Sequence, residues 1–248
     1  MLRLSSLLLV TLVAALSGCS GAPASSRADA VDRMSPAAVA EAGGDPVAGA
    51  AAIDRPARAG RRIVFLGDSL TAGLGLPADQ SYPSLIAARL SARGTGWTMV
   101  NAGVSGDTSA GGVRRLDWSL EGGAQILVVA LGGNDALRGL PPDDLERNLD
   151  TIVAAAIRSG ARVVIAGMEA PPNNGPEYTA RFRQAYAAVA RRHAVTLLPF
   201  LLVGVAGVDS LNQADGIHPN QAGAALVADT VWRVLDPIVR ALEDSSTE

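Results

Sequence analysis

RRIVFLGDSLTAG, residues 61–73, decides the fold. Ile63 to Gly67 is an apolar, β-branched run that passes directly into Asp68, Ser69 and Leu70, with a turn signal over Thr71 to Gly75. Such a run, bounded by turn residues, reads as a buried strand that delivers a serine at its carboxyl end. Ligands of open α/β sheets bind outside the carboxyl ends of the strands, so Ser69 faces the crevice where chemistry is expected.

Downstream, strands and helices alternate. Tyr82 to Arg93 carries Leu85, Ile86 and Leu90 at helical spacing and stops at Gly94 to Gly96. Trp97 to Asn101 is the second strand, closed by Ala102 and Gly103, and Ala110 to Glu121 a weaker helix. Gln125 to Leu131 is a continuous apolar run, as expected of a strand covered on both faces, and it breaks at Gly132 and Gly133. Pro142 to Arg158 places Leu145, Leu149, Ile152 and Val153 on one helical face, and Ala161 to Met168 is the fourth strand. Glu177 to His193 is another amphipathic helix, Val195 to Pro199 a fifth short strand, and Pro219 to Leu242 the closing helix. This alternation predicts a parallel sheet sandwiched by helices, with no internal repeat.

Composition bounds the function. Of 248 residues 48% are hydrophobic, enough for one sizeable core with appendages, and the net charge is -3. The 21 basic residues are all arginine and form no phosphate-tracking run, so nucleic acid is not an expected partner. Without lysine there is no Walker A loop. A single cysteine, Cys19, excludes an intrachain disulfide.

Cys19 follows Arg3, an apolar run from Leu4 to Leu16, and then Ser17 and Gly18. The run is short for a membrane span and reads as a signal peptide. The small residues before the cysteine resemble the lipobox of bacterial lipoproteins. That resemblance implies lipidation of Cys19 and, with Ser20 next to it, an outer-membrane lipoprotein facing the periplasm. The alternative is an ordinary secretory signal in which Cys19 is incidental. Gly21 to Gly60, rich in Ala, Pro, Gly, Ser and Asp, reads as a tether, with a small helix around Val31 to Ala42 as the alternative. The expected organisation is a signal peptide over 1–18, a lipidated cysteine and tether over 19–60, and a folded domain over 61–248.

Four loops after strands carry the chemistry: those with Ser69, Gly103, Asn134, and the pair Asp215 and His218. In a sheet ordered 2-1-3-4-5 the crevice opens between strands one and three, which brings Ser69 and Asn134 face to face. A serine hydroxyl needs a neighbouring base. The chain offers two histidines. His193 ends a helix in Arg191-Arg192-His193, where a cation suits the macrodipole. His218 lies in ADGIHPN, residues 214–220, and Asp215 three residues earlier can present a carboxylate to its ring. Helix capping by Asp215 or Asn220 is the alternative use of that loop. Attack on a carbonyl creates an oxyanion, for which the Ser69 and Gly103 amides and the Asn134 side chain are candidate donors. A strand-end turn at Gly103 and a helix cap at Asn134 are the structural alternatives.

Together, GDSL at Gly67 to Leu70, NAGVSGDT at Asn101 to Thr108, GGND at Gly132 to Asp135 and DGIHP at Asp215 to Pro219 resemble the GDSL or SGNH hydrolase family. The detail is most similar to its bacterial thioesterase I, lysophospholipase and arylesterase branch, through GDSLTAG, LGGNDALRG, PPNNGPEYTARF and LLPF. The resemblance covers Arg61 to about Arg240. It implies a three-layer α/β/α sandwich on a flavodoxin-like five-stranded parallel sheet of order 2-1-3-4-5. It implies Ser69 as nucleophile, His218 as base, Asp215 as its orienting partner, and Ser69, Gly103 and Asn134 as oxyanion donors, with no cofactor and no metal.

The expected activity is hydrolysis of small-molecule or lipid esters, including aryl esters, acyl thioesters and lysophospholipids, by a monomer held at a membrane through Cys19. Leu74 to Gln80 and Glu169 to Pro176 are the segments expected to line the substrate. A carbohydrate O-acetylesterase and a non-catalytic lipid-binding lipoprotein are the alternatives. Gly73, Gly75 and Ala78 match a dinucleotide fingerprint poorly, with Pro77 intruding, and the GxSxG elbow is absent around Ser69. Asp68 and Asp135 could suggest a metal pair, but hydrogen bonding within their loops is their nearer role.

Overall fold

A computed structural model describes residues 61–245. The expected signal peptide, Cys19 and the tether lie outside the described residues. In chain order the elements are β1 (Arg62–Gly67), α1 (Ser69–Ala72), α2 (Tyr82–Ala92), β2 (Thr98–Gly103), α3 (Ser109–Arg114), α4 (Leu116–Leu120), β3 (Ile126–Ala130), α5 (Gly133–Leu137), α6 (Pro142–Arg158), β4 (Arg162–Ala166), α7 (Pro176–His193), β5 (Thr196–Leu198) and α8 (Gln221–Asp244). Short 3-10 turns connect several of them.

All five strands are parallel, in the order β2-β1-β3-β4-β5 that the sequence predicts. Ile63 to Leu66 of β1 and Ile126 to Val129 of β3 are fully buried, as central strands with helices on both faces must be. Each such aliphatic side chain contributes on the order of 1.5–3 kcal/mol by leaving water. β2 is an edge strand and stays largely part-exposed. Crossovers between parallel strands are right-handed. Stepping from β1 to β2 and from β3 to β4 and β5 in opposite directions therefore puts the connecting helices on opposite faces. α2 packs with α8 in one layer, and α6 packs with α7 and α3 in the other.

The direction reverses between β1 and β3. There Gly67 pairs with Gly103 on one side and with Ala130 on the other, so three strands end level. Their exits, α1, the loop 104–108 and α5, open on one crevice.

Three local differences from the sequence reading bear on that crevice. The turn expected over Thr71 to Gly75 is a single helical turn, α1, closed by Gly73 at φ 77°. The helix expected from Ala110 to Glu121 is broken at Arg115 into α3 and α4. Gly111 and Gly112 are poor helix formers. They are there because a Cβ at either would lie 2.1 Å from Asp107 Oδ1 or 2.2 Å from Leu131 Cδ1. The closing helix starts at Gln221 rather than Pro219, because Pro219 forms an antiparallel bridge with Asn212 that keeps His218 in a loop. Among the described residues no helix is long and apolar enough to cross a membrane.

Candidate active site

Ser69 opens α1. Asp68 caps that turn by accepting the Leu70 N–H at 3.0 Å, and the Gly73 N–H donates to the Ser69 carbonyl at 3.0 Å. The turn hugs its strand: a Cβ on Gly67 would fall 1.9 Å from Thr71 Oγ1, whose hydroxyl bonds Tyr82 at 2.9 Å. The Ser69 N–H, as expected for the first residue of a helix, has no backbone acceptor among the described residues.

The His218 loop is stapled at both ends. The Gln213 N–H donates to the His218 carbonyl at 2.7 Å, and the Asn220 N–H to Leu211 at 2.9 Å. Gln213 Nε2 donates to the Leu74 carbonyl at 2.7 Å and to that of Pro219 at 3.0 Å, tying this loop to the one after α1. Held so, His218 Nε2 lies 2.8 Å from Ser69 Oγ, and His218 Nδ1 lies 2.6 Å from Asp215 Oδ2. The other carboxylate oxygen of Asp215 accepts the Ile217 and His218 amides at 2.9 and 3.0 Å. Those backbone donors, the His218 amide foremost, hold the Asp215 pKa down to about 2. An ionised Asp215 accepts from Nδ1, which assigns the proton of a neutral ring to that nitrogen and leaves Nε2 to accept from Ser69. Capping is present too, but by Asn220, which accepts the Gly223 N–H at 3.1 Å.

Asn134 arrives from β3. Gly132 caps α5 at φ 116°, and a Cβ there would fall 2.0 Å from the Tyr186 hydroxyl, which donates to the Leu131 carbonyl at 3.0 Å. Asn134 is not a cap. Its Nδ2 donates to Asp68 Oδ2 at 3.3 Å, across the crevice between β1 and β3, and among the described residues it has no second acceptor. Asp135 beside it is buried and accepts the Ser109 N–H at 2.8 Å and the Ser109 hydroxyl at 2.5 Å, binding α5 to α3. Asp68 and Asp135 thus belong to separate hydrogen-bond sets. Among the described residues no three His, Cys, Asp or Glu side chains converge to hold a metal ion.

Asp68 is 2% exposed, and burial pushes its pKa up to about 6 against the pull of the Leu70 amide, the His218 charge and the Asn134 amide. Between about pH 4 and 6 the folded protein therefore keeps a proton that the unfolded chain has released, so stability falls as pH rises through that window. Asp68→Asn removes this penalty. Between about pH 4 and pH 7 the parent should lose about 2–3 kcal/mol relative to the variant, as read from denaturant unfolding across pH, on top of a pH-independent offset because the amide NH2 cannot accept one of the two hydrogen bonds that Asp68 accepts. Parallel pH dependences in the two proteins would contradict it. Asp215, with its depressed pKa, acts in the opposite sense and in a lower window, losing its stabilising contribution as pH falls from about 4 towards 2.

Gly103 requires a correction. Its N–H donates to its neighbour Asn101 Oδ1 at 3.0 Å, and a Cβ on it would lie 2.3 Å from the Ala72 backbone nitrogen. It is a glycine so that β2 can press against α1, and its amide is already committed. In the following loop the Val104 and Asp107 amides are also used, on Gly67 and Val104. The Ser105 and Gly106 N–H groups have no backbone acceptor among the described residues, and Gly106, at φ 81°, has its carbonyl fixed by Arg138 Nη2 at 2.7 Å. Arg115 braces the whole corner, reaching Asp107 at 2.5 Å, the Ala102 carbonyl at 2.5 Å and the Gly67 carbonyl at 2.7 Å. His193 takes no part in the site: it closes α7, at the amino-terminal end of β5, and bonds Asp150 at 2.8 Å.

Ser69, Asn134 and His218 line a cleft of about 290 Å³ whose walls are Leu70, Leu137, Met168, Phe200, Leu202 and Ile217. Glu169, Ala170 and Pro171 supply part of its lining, whereas Leu74 and Leu76 border a cavity of about 10 Å³ that also touches Ser69 and His218. Phe200 to Ala206 was not legible as part of the site. Its one signal is an apolar run after the last strand that no element uses.

Residues 65–226 match the GDSL-like Lipase/Acylhydrolase family. The chain belongs to that family. It is 42% identical over 182 residues to Esterase TesA of Pseudomonas aeruginosa, covering 73% of this chain and 90% of the relative. It is 34% identical over 184 residues to Thioesterase 1/protease 1/lysophospholipase L1 of Escherichia coli, covering 74% and 87%. In structure it resembles the psychrotrophic esterase EstA from Pseudoalteromonas, solved inhibited by monoethylphosphonate, at 30% identity and TM-score 0.69 over 73% of this chain and 99% of that one. The family and its relatives are named for carboxylic ester hydrolysis, the enzyme class expected from this hydrolase's sequence.

Proposed function

We propose that the protein is a serine esterase that cleaves carboxylic esters by two-step acyl transfer at Ser69. The observation that carries this reading is the unbroken chain Ser69–His218–Asp215, with links of 2.8 and 2.6 Å, at the foot of an apolar cleft. Ser69 Oγ bonds the carbonyl carbon while its proton passes to His218 Nε2, and ionised Asp215 stabilises the imidazolium. The oxyanion accepts from the Ser69 amide, the Asn134 side chain and the Gly106 amide, the last taking the place expected of Gly103. As the carbonyl reforms, the ester C–O or thioester C–S bond breaks and His218 protonates the departing alcohol or thiol. Water then repeats both steps and releases the acid. Inhibition of EstA by a phosphonate is the behaviour of an enzyme with such a nucleophile.

The cleft sits at the lower end of the range for small-molecule sites, about 300–1,000 Å³. The cavity beside Ser69, about 10 Å³, has room for about one water. One side of the substrate therefore occupies the cleft and the other faces solvent, which suits medium-chain or aryl esters, acyl thioesters and lysophospholipids. In this reading the enzyme is exported, anchored through a lipidated Cys19 to an outer membrane, and acts as a monomer on the periplasmic side.

The test is hydrolysis of p-nitrophenyl esters from acetate through long acyl chains. Activity should peak at medium chains. Activity confined to acetate would replace this reading with that of a sugar-ester deacetylase.

A further inference from the structure

Charge is distributed unevenly around the cleft. Its ionisable lining residues are Asp68, Glu169 and His218, and no arginine lines it. Asp68 is buried at the base beneath Asn134. Glu169 stands on the rim, and both its oxygens are engaged by Arg183 of α7, with Nε at 2.8 and 3.1 Å and Nη2 at 2.6 Å. The two side chains are 34% and 62% exposed; Glu169 belongs to the lining and its cation does not. Arg138, next to the lining residue Leu137, donates to the Gly106 carbonyl at 2.7 Å, so its charge lies on the oxyanion side of the site and not at the Glu169 rim. At this rim, among the described residues, a substrate therefore meets a paired carboxylate and no arginine of the lining.

Resting on the esterase reading of Ser69, we infer that Glu169 is a specificity-determining residue that selects esters uncharged around the scissile bond and disfavours anionic ones, with Arg183 setting the strength of that selection. A negative substituent on the leaving group is repelled across water, by an amount that falls off with salt because the Debye length is about 10 Å at 0.1 M. Removing the carboxylate unmasks the guanidinium and reverses the sign of the field. Removing the guanidinium unmasks the carboxylate and strengthens it. A mere brace between the rim and α7 would make both changes act alike.

The test compares 4-nitrophenyl octanoate with 3-carboxy-4-nitrophenyl octanoate, which differ by one carboxylate on the same leaving group. The measured quantity is the ratio of kcat/KM for the anionic ester to that for the neutral one, at low and at high salt. Glu169→Gln should raise the ratio by about two- to fivefold and Arg183→Gln should lower it, and both should return towards the parent value at about 0.5 M salt. Ratios that stay constant, or that move in the same direction in both variants, overturn the inference. If the unsubstituted protein cleaves neither ester, the esterase reading itself fails and the inference falls with it.

Discussion

Ser69→Ala is expected to lower turnover of any ester substrate by at least ~10³-fold while leaving the melting temperature nearly unchanged. The side chain makes one hydrogen bond, to His218 Nε2 at 2.8 Å, and the backbone of α1 is held by Asp68 and Gly73 rather than by the hydroxyl. Alanine therefore fits the turn, and what is lost is the oxygen that the proposed mechanism uses to attack. The residual rate is what the oxyanion donors and the cleft supply without a nucleophile. Steady-state turnover beside a thermal melt checks both halves, and a folded variant with near-parental turnover would return Ser69 to a purely structural role.

Asn134→Ala is expected to cost about 10² to 10³ in turnover, the usual consequence of losing one oxyanion donor. One of its two amide hydrogens holds Asp68, and the other has no acceptor among the described residues. A donor that acts on the developing oxyanion lowers kcat when removed and leaves KM close to its former value, because the ground-state carbonyl needs it less. A side chain that only braced Asp68 would instead change stability with kcat retained. Kinetics and unfolding of the one variant therefore separate the two roles.

Much of this arrangement was legible because the candidate site residues sit in short contiguous segments at strand ends. Ile63 to Gly67 and Gln125 to Leu131 are apolar runs that only buried parallel strands explain, and the glycines after them mark where the chain turns over the crevice. His218 and Asp215 lie three residues apart, so their contact is local and survives any error in the fold. What was not legible depends on neighbours distant in sequence. Gly103 and Gly106 lie in one loop and look alike as donors; only the hydrogen bond from Gly103 to Asn101, and the close approach of Ala72, show that the first is occupied. The break between α3 and α4 follows from Arg115, which reaches back to carbonyls of β1 and β2. The burial that raises the Asp68 pKa is likewise made by surrounding elements and leaves no mark on GDSL itself.

The central claim is that Ser69 is a nucleophile activated through His218. Its most direct test is labelling of the folded protein with a fluorophosphonate, in which the serine oxygen bonds phosphorus and fluoride departs, followed by mass spectrometry of the peptides. The account predicts a single adduct, on Ser69, that is absent in Ser69→Ala and strongly slowed in His218→Ala. No adduct, or an adduct on a different serine, would contradict it.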